Sequence, residues 1–259
     1  MPRSVLQRVR LWRAPRIARR YKDADWLSAP IVKALVRPGD SIIDVGANMG
    51  YITARLAEYV GSEGRVYALE PVPDTFDMLE RTVRTLGLKQ VSAIHAGASH
   101  TSGTLAMSIP RYADGLENLY EARMVPDSEE GGQGRLVRVR TVALDDLIRS
   151  DKAAIRFVKI DVEGHERATL EGAKTLLERD KPALLIEVSG NPDDLHSSAA
   201  DVFELLGALD YQAFLWDGKA LKSRKSGDFS VDYFFLQPSH LQSISEENLT
   251  GTPITDLKS

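Results

Sequence analysis

The chain has 259 residues, 43% of them hydrophobic and 27% charged, with a formal net charge of −4 and no cysteine. That length can bury one large α/β core or two small ones, while the missing thiols exclude disulfides, thiolate metal sites, iron–sulfur clusters and cysteine nucleophiles. No apolar run approaches the roughly 18 residues that span a bilayer, and no signal peptide is visible, so a cytoplasmic protein is expected.

The charge is unevenly spread. Residues 1–22 hold Arg3, Arg8, Arg10, Arg13, Arg16, Arg19, Arg20 and Lys22 without one acid, which leaves 25 basic against 37 acidic residues in the rest. An acidic body argues against nucleic acid as the main partner. Within the arm, Val5, Val9 and Trp12 recur at helical intervals until Pro15 is expected to interrupt them. Two readings stay open: a solvated helix or flexible arm, or a segment lying peripherally on anionic lipid at the inner membrane face. Residues 1–37 are read as a basic helical extension. Its second part, 23–38, is a lead-in helix carrying Trp26, Leu27, Ile31, Val32, Leu35 and Val36, and closed by Pro38-Gly39.

A main domain is expected over 38–238. Strand 41–46 is followed by a helix near 49–60, strand 65–70 by a helix near 74–86, and a third strand runs through 91–95. Such alternation implies a parallel sheet with right-handed crossovers. Residues 100–142 break the rhythm. Thr104–Ile109 and Leu136–Val142 alternate as strands do, around a polar stretch from Glu129 to Gly134. A connection of that length is read as a substrate-side insertion of two short strands with a mobile loop. The rhythm resumes with a short helix at 145–148, strand 155–161, a helix near 165–178, strand 183–188 and a helix over 194–208. Strands 211–216 and 233–236 look like a hairpin added to one sheet edge, and the polar tail 239–259 is expected to be loosely held.

The first strand ends on Asp44 and opens into Gly46-Ala47-Asn48-Met49-Gly50; Glu70 closes the second strand twenty residues later. This is the first half of a mononucleotide-binding unit. A dinucleotide fingerprint needs glycine where Asn48 stands, so that a pyrophosphate can rest on bare backbone N–H groups. Asp44 would also repel a pyrophosphate. It suits S-adenosylmethionine, which has no phosphate and carries a sulfonium and an ammonium. Asp44, Gly46, Ala47, Asn48, Gly50 and Glu70 are therefore assigned to that cofactor, with Pro71 after strand two and Ala98 after strand three beside them. Glu70 is expected to accept from both ribose hydroxyls. The competing reading gives these glycines a packing role alone.

Ligands of open α/β sheets bind at the carboxyl ends of strands. Strand four ends in Lys159-Ile160-Asp161-Val162-Glu163-Gly164-His165-Glu166, which makes Asp161, Glu163 and His165 the catalytic candidates. Methyl transfer to a hydroxyl requires removal of its proton. His165 can act as the base; alternatively a divalent cation such as magnesium, held by Asp161 and Glu187, acidifies the hydroxyl. Glu163 and Glu166 have a second reading as acids complementing a helix N-terminus. His95, His100, His196 and His240 receive no role, and Trp12, Trp26 and Trp216 are expected in the core or an interface.

The blocks SIIDVGANMGYIT, GRVYALEP, TVALDDLI, FVKIDVEGHERATLEGA and PALLIEV, in this order, resemble the FkbM-type S-adenosylmethionine-dependent methyltransferases. The resemblance covers roughly residues 38–190, and DYFFLQP fits the family's final strand. It implies a Rossmann-like class I methyltransferase with a seven-stranded, mostly parallel sheet ordered 3-2-1-4-5-7-6 and an antiparallel last strand. It also implies O-methylation of a hydroxyl on a sugar, a glycan or lipid precursor, or a natural product. Asp44, Gly46, Asn48, Gly50 and Glu70 map onto the family's cofactor site, and Asp161, Glu163 and His165 onto its signature. Residues 1–37 and 111–134 fall outside it, so the acceptor does not carry over. Transfer to an amine or nucleobase is the weaker alternative, because Asp161-Val162-Glu163-Gly164 stands where an Asp/Asn-Pro-Pro-aromatic motif would. A cofactor-binding partner protein without catalysis is the third reading, against which Asp44, Glu70 and Asp161 speak. The sequence sets no oligomeric state.

Overall fold

The computed structural model describes residues 5–113, 116–119, 121–125, 134–149, 153–242 and 244. Helices α1 (Val5–Arg20) and α2 (Ala29–Leu35) precede β1 (Ser41–Val45), α3 (Tyr51–Val60), β2 (Arg65–Leu69), α4 (Pro73–Leu86) and β3 (Val91–Ile94). Next come β4 (Gly97–Ala98), β5 (Gly103–Ile109), β6 (Arg123–Val125), β7 (Arg135–Val142) and α5 (Leu144–Leu147). The second half holds β8 (Ile155–Ile160), α6 (Glu166–Glu171), α7 (Lys174–Asp180), β9 (Ala183–Glu187) and α8 (Ser198–Gly207). It closes with β10 (Gln212–Trp216), β11 (Leu221–Ser223), β12 (Asp232–Leu236) and α9 (Pro238–Leu241).

The main sheet is ordered β11-β10-β12-β9-β8-β1-β2-β3. Strands β3, β2, β1, β8 and β9 pair in parallel, and β12 inserts antiparallel between β9 and β10. This is the Rossmann-like order with the antiparallel last strand. An eighth strand, β11, adds to β10 at the edge, so the edge hairpin is β10–β11 rather than β10–β12. The central strands are apolar on both faces because helices cover both. Alternate residues part accordingly. Ile43, Val158, Leu184 and Phe235 pack with Leu176, Val202 and Leu206 on one side. Ile42, Phe157, Leu185 and Phe234 pack with Ile31, Val32, Leu56 and Val60 on the other.

The insertion is larger than two strands. Strands β4, β7, β5 and β6 form a second, four-stranded sheet, tied to the first where the chain leaves β3 and enters β4. Residues 126–133, most of the polar glycine-rich stretch, lie outside the described residues.

Several helices also differ from expectation. Helix α1 continues through Pro15, whose missing N–H usually breaks a helix. Burial of Ala14, Pro15 and Ala18 against the body outweighs that loss. The lead-in helix shortens to α2, after a single turn at Asp23–Asp25, and Trp26 is buried outside it. The helix expected over 165–178 is two. At the break, a Cβ on Gly172 would lie 2.0 Å from Ser99 O, and the Asp145 carboxylate caps α7 by accepting from the N–H groups of Thr175 (2.9 Å) and Leu176 (2.8 Å). Trp12 is 54% exposed, contrary to a core position, while half-buried Trp216 donates its indole N–H to Leu27 O at 2.9 Å. The tail begins with α9 and buries Ile244; residues 245–259 lie outside the description. No helix among the described residues is long and apolar enough to cross a membrane.

Candidate active site

The carboxyl ends of β1, β2, β8 and β9 open into one cavity of about 1000 Å3, its mouth included. Gly46, Ala47, Asn48, Glu70, Pro71, Ala98, Asp161, Glu163, His165 and Glu187 all line it. Met107 of β5, Leu119, Ala122 and Met124 of β6 roof it from the second sheet. Two expected residues stand behind the wall instead. Asp44 is fully buried, with Thr53 Oγ1 donating to its Oδ2 at 2.6 Å, and its Oδ1 has no partner among the described residues. Gly50 caps α3 at φ +84°, where a Cβ would meet Leu79 Cδ1 of α4 at 2.8 Å. Its role there is to bring α3 and α4 together.

Gly46 also serves packing, and with more consequence. At φ +77°, a Cβ on Gly46 would lie 1.8 Å from the backbone oxygen of Asp161. The bare backbone brings the turn after β1 against the exit of β8, so the cofactor-side and catalytic-side residues share one wall. Asn48 and Glu163 both line the cavity at φ +48°, a left-handed conformation costly for side chains other than glycine.

Glu70 is nearly saturated by its own chain. Its Oε1 accepts from Val72 N–H (2.9 Å) and Thr75 Oγ1 (3.0 Å), and its Oε2 from Asn48 N–H (2.9 Å). A carboxylate has about four lone-pair sites, so one remains, on Oε2. Acceptance from both ribose hydroxyls would require an internal bond to yield. Burial outweighs these donors and pushes the Glu70 pKa up to about 7.

At the exits of β8 and β9, carboxylate oxygens of Asp161, Glu163 and Glu187 lie within 4.8 Å of one another. These are the described residues that could hold a divalent cation. Burial first, then Asp161, Asp232 and Glu163, raise the Glu187 pKa to about 7. Glu163 is raised too, by burial and then by Asp161. Lys159 balances the cluster. It is 6% exposed and donates from Nζ to Asp161 Oδ2 at 2.9 Å. Burial opposes its charge, but Asp161, Asp44 and Asp232 outweigh burial and raise its pKa.

His165 is half-buried, and burial, then the nearby His100, hold its pKa below the ordinary value; neutral imidazole is the resting form. Its Nε2 lies 3.0 Å from Ser99 Oγ, which lies 3.3 Å from Nδ1 of exposed His100. Glu166 is a capping acid: its Oε1 accepts from Gly164 N–H at 2.8 Å.

The sequence placed Ser99 after the third strand and Lys159 in the fourth but assigned neither a role, and it gave no sign of Asp232. Lys159 was visible as a lysine inside an otherwise buried strand. Asp232 pairs with Glu187 across the antiparallel β12; the first residue of an antiparallel strand shares an edge with the last residues of its parallel neighbours. Ser99 comes beside His165 through the approach of Gly172, which has no sequence signal of its own.

The FkbM methyltransferase domain matches residues 44–213 of the chain. A hexuronic acid methyltransferase, AglP, from Haloferax volcanii is 32% identical over 142 residues, covering 54% of this chain and 52% of that protein. A protein-L-isoaspartate O-methyltransferase from Methanococcus aeolicus is 26% identical over 124 residues, covering 48% of this chain and 56% of that one. The chain thus spans about half the length of these curated relatives. The crystal structure of methyltransferase FkbM from Methylobacillus flagellatus aligns with a TM-score of 0.47 at 18% identity, covering 88% of this chain and 59% of that one. By the extent of the domain match, the chain belongs to the FkbM methyltransferase family.

Proposed function

We propose that the chain transfers a methyl group from S-adenosylmethionine to a hydroxyl of a sugar or a sugar-bearing precursor. The observation that carries this is the single cavity joining Glu70 to the Asp161–Glu163–Glu187 cluster, with Asn48 where a pyrophosphate would need bare backbone. The relatives are named for a hexuronic acid and an O-methyl transfer, which supports oxygen as the acceptor and a sugar as its bearer.

When bound, adenosylmethionine supplies an electrophilic methyl on a cationic sulfur. The protein's residues do the rest. The free lone pair of Glu70 binds the ribose, and the carboxylates around Asp161 favour the cationic end. Asp44, buried behind the turn, adds only its field. Met107 and Met124 supply apolar lining on the side of the second sheet. Neutral His165, oriented through Nε2 by Ser99, takes the hydroxyl proton at Nδ1. A divalent cation on Asp161 and Glu187 is the alternative means of acidifying that hydroxyl.

The test is transfer of labelled methyl to a panel of hexuronic acids and other sugars. Incorporation is expected, and Asp161→Asn should abolish it and weaken cofactor binding in calorimetry, because its charge favours the cationic end. Full activity after chelation assigns the proton to His165; loss restored by magnesium assigns it to a cation. Cofactor binding with no transfer to any acceptor, chelated or metal-replete, would overturn the reading.

A further inference from the structure

Helix α1 packs on the body through Leu11 and Ala14, which meet Val72 and Met78 beside the turn after β2, and also buries Ala18. The opposite face has no covering element among the described residues. Val5 is 79%, Val9 44% and Trp12 54% exposed. At about 3.6 residues per turn these three fall on one line. Exposed Arg8 and Arg19 flank that line on one side, Arg13 and Arg20 on the other. Arg16 stands within it, its guanidinium 3.7 Å from the Trp12 ring centroid and its Nη1 donating to Trp12 O at 2.8 Å.

We propose that this outer face of α1 is an interfacial anchor that docks the protein on an anionic lipid surface. An apolar line bordered by arginines on both flanks suits the headgroup boundary. The apolar centre enters the acyl region, and the guanidinium groups reach back to lipid phosphates. Tryptophan favours that boundary for the same reason. A nucleic acid would match the arginines but leave Val5, Val9 and Trp12 without a partner. The remaining 25 basic and 37 acidic residues make the rest of the chain repel an anionic bilayer, which restricts docking to this face. The anchor also borders the active site. Arg10, Arg13 and Ile17 of α1 line a second pocket that shares Asn48 and Leu119 with the large cavity. Docking would hold that cavity near acceptors carried on a membrane lipid. The proposal goes beyond methyl transfer and stands independently of it.

Co-sedimentation of the full chain with phosphatidylcholine vesicles, with and without phosphatidylglycerol, tests it. Pelleting is expected with phosphatidylglycerol alone and should weaken as salt is added. Trp12→Glu should lower the partition coefficient roughly tenfold, and Arg8→Glu with Arg19→Glu should do so most strongly at low salt. Cofactor affinity by calorimetry should stay unchanged in each variant. Absence of pelleting, equal pelleting with both vesicles, or wild-type pelleting of Trp12→Glu would overturn the proposal. So would a lipid-free dimer in sedimentation velocity that Trp12→Glu abolishes, since the face would then belong to a second copy.

Discussion

Glu187 sits where two influences of one sign meet: burial, and the charges of Asp161, Asp232 and Glu163. Lys159 opposes them, yet its own hydrogen bond goes to Asp161. The folded protein therefore holds the Glu187 proton up to about pH 7, against about 4.5 for an ordinary glutamate. A carboxyl whose pKa is raised by folding stabilises the fold below the lower value and loses that contribution as pH rises through the higher one. Glu187→Gln should consequently raise the thermal midpoint above pH about 7 and leave it unchanged below about 4.5. Scanning calorimetry across that window reads the effect directly. A variant equally stable at every pH would show that the cluster carries no repulsion. These residues were partly legible. Asp161, Glu187 and Glu70 stood at strand ends, where chemistry is expected. The contact of Ser99 with His165 and the place of Asp232 were hidden, because they depend on a close backbone approach and on strand direction.

The strands that carry the site were legible as apolar runs ending in an acid: β1 at Asp44, β2 at Glu70, β8 at Asp161, β9 at Glu187. Their helices followed from periodicity, with boundaries a few residues off. The three-residue strands β6 and β11 were not, since three residues show no alternation and their partners lie far along the chain. The loss mattered for β6, because Met124 roofs the cavity and its Cε stands 2.5 Å from where a Cβ on Gly97 would be. The second sheet is held to the helices by Arg135, which donates to Glu117 Oε1 (2.6 Å) and to Asp74 Oδ2 of α4 (3.2 Å). Gln7 of α1 donates to Asp74 Oδ1 at 2.7 Å. The junction of β1 with β8 is tighter still. Gly46→Ala would place its methyl inside the contact distance of Asp161 O, in a left-handed conformation that alanine resists. It should cost about 3 kcal/mol in urea denaturation and weaken cofactor binding. Undiminished stability would show that the two strand exits are free to part.

The whole chain combines an acidic body with one basic helix, and the two halves of that distribution point in different directions. The body concentrates negative charge around a cavity; α1 presents positive charge on the outside. Composition already announced the asymmetry, while only the fold could show which face of α1 is covered and that the acids converge. We infer a cavity built for a cationic, phosphate-free nucleoside. Isothermal titration of the chain with S-adenosylmethionine, its demethylated product and NAD tests this most directly. Both sulfur nucleosides should bind, the sulfonium form more tightly as pH rises through about 7 while Glu70 and Glu187 ionise, and NAD should not. Binding of NAD with neither sulfur compound retained would contradict it.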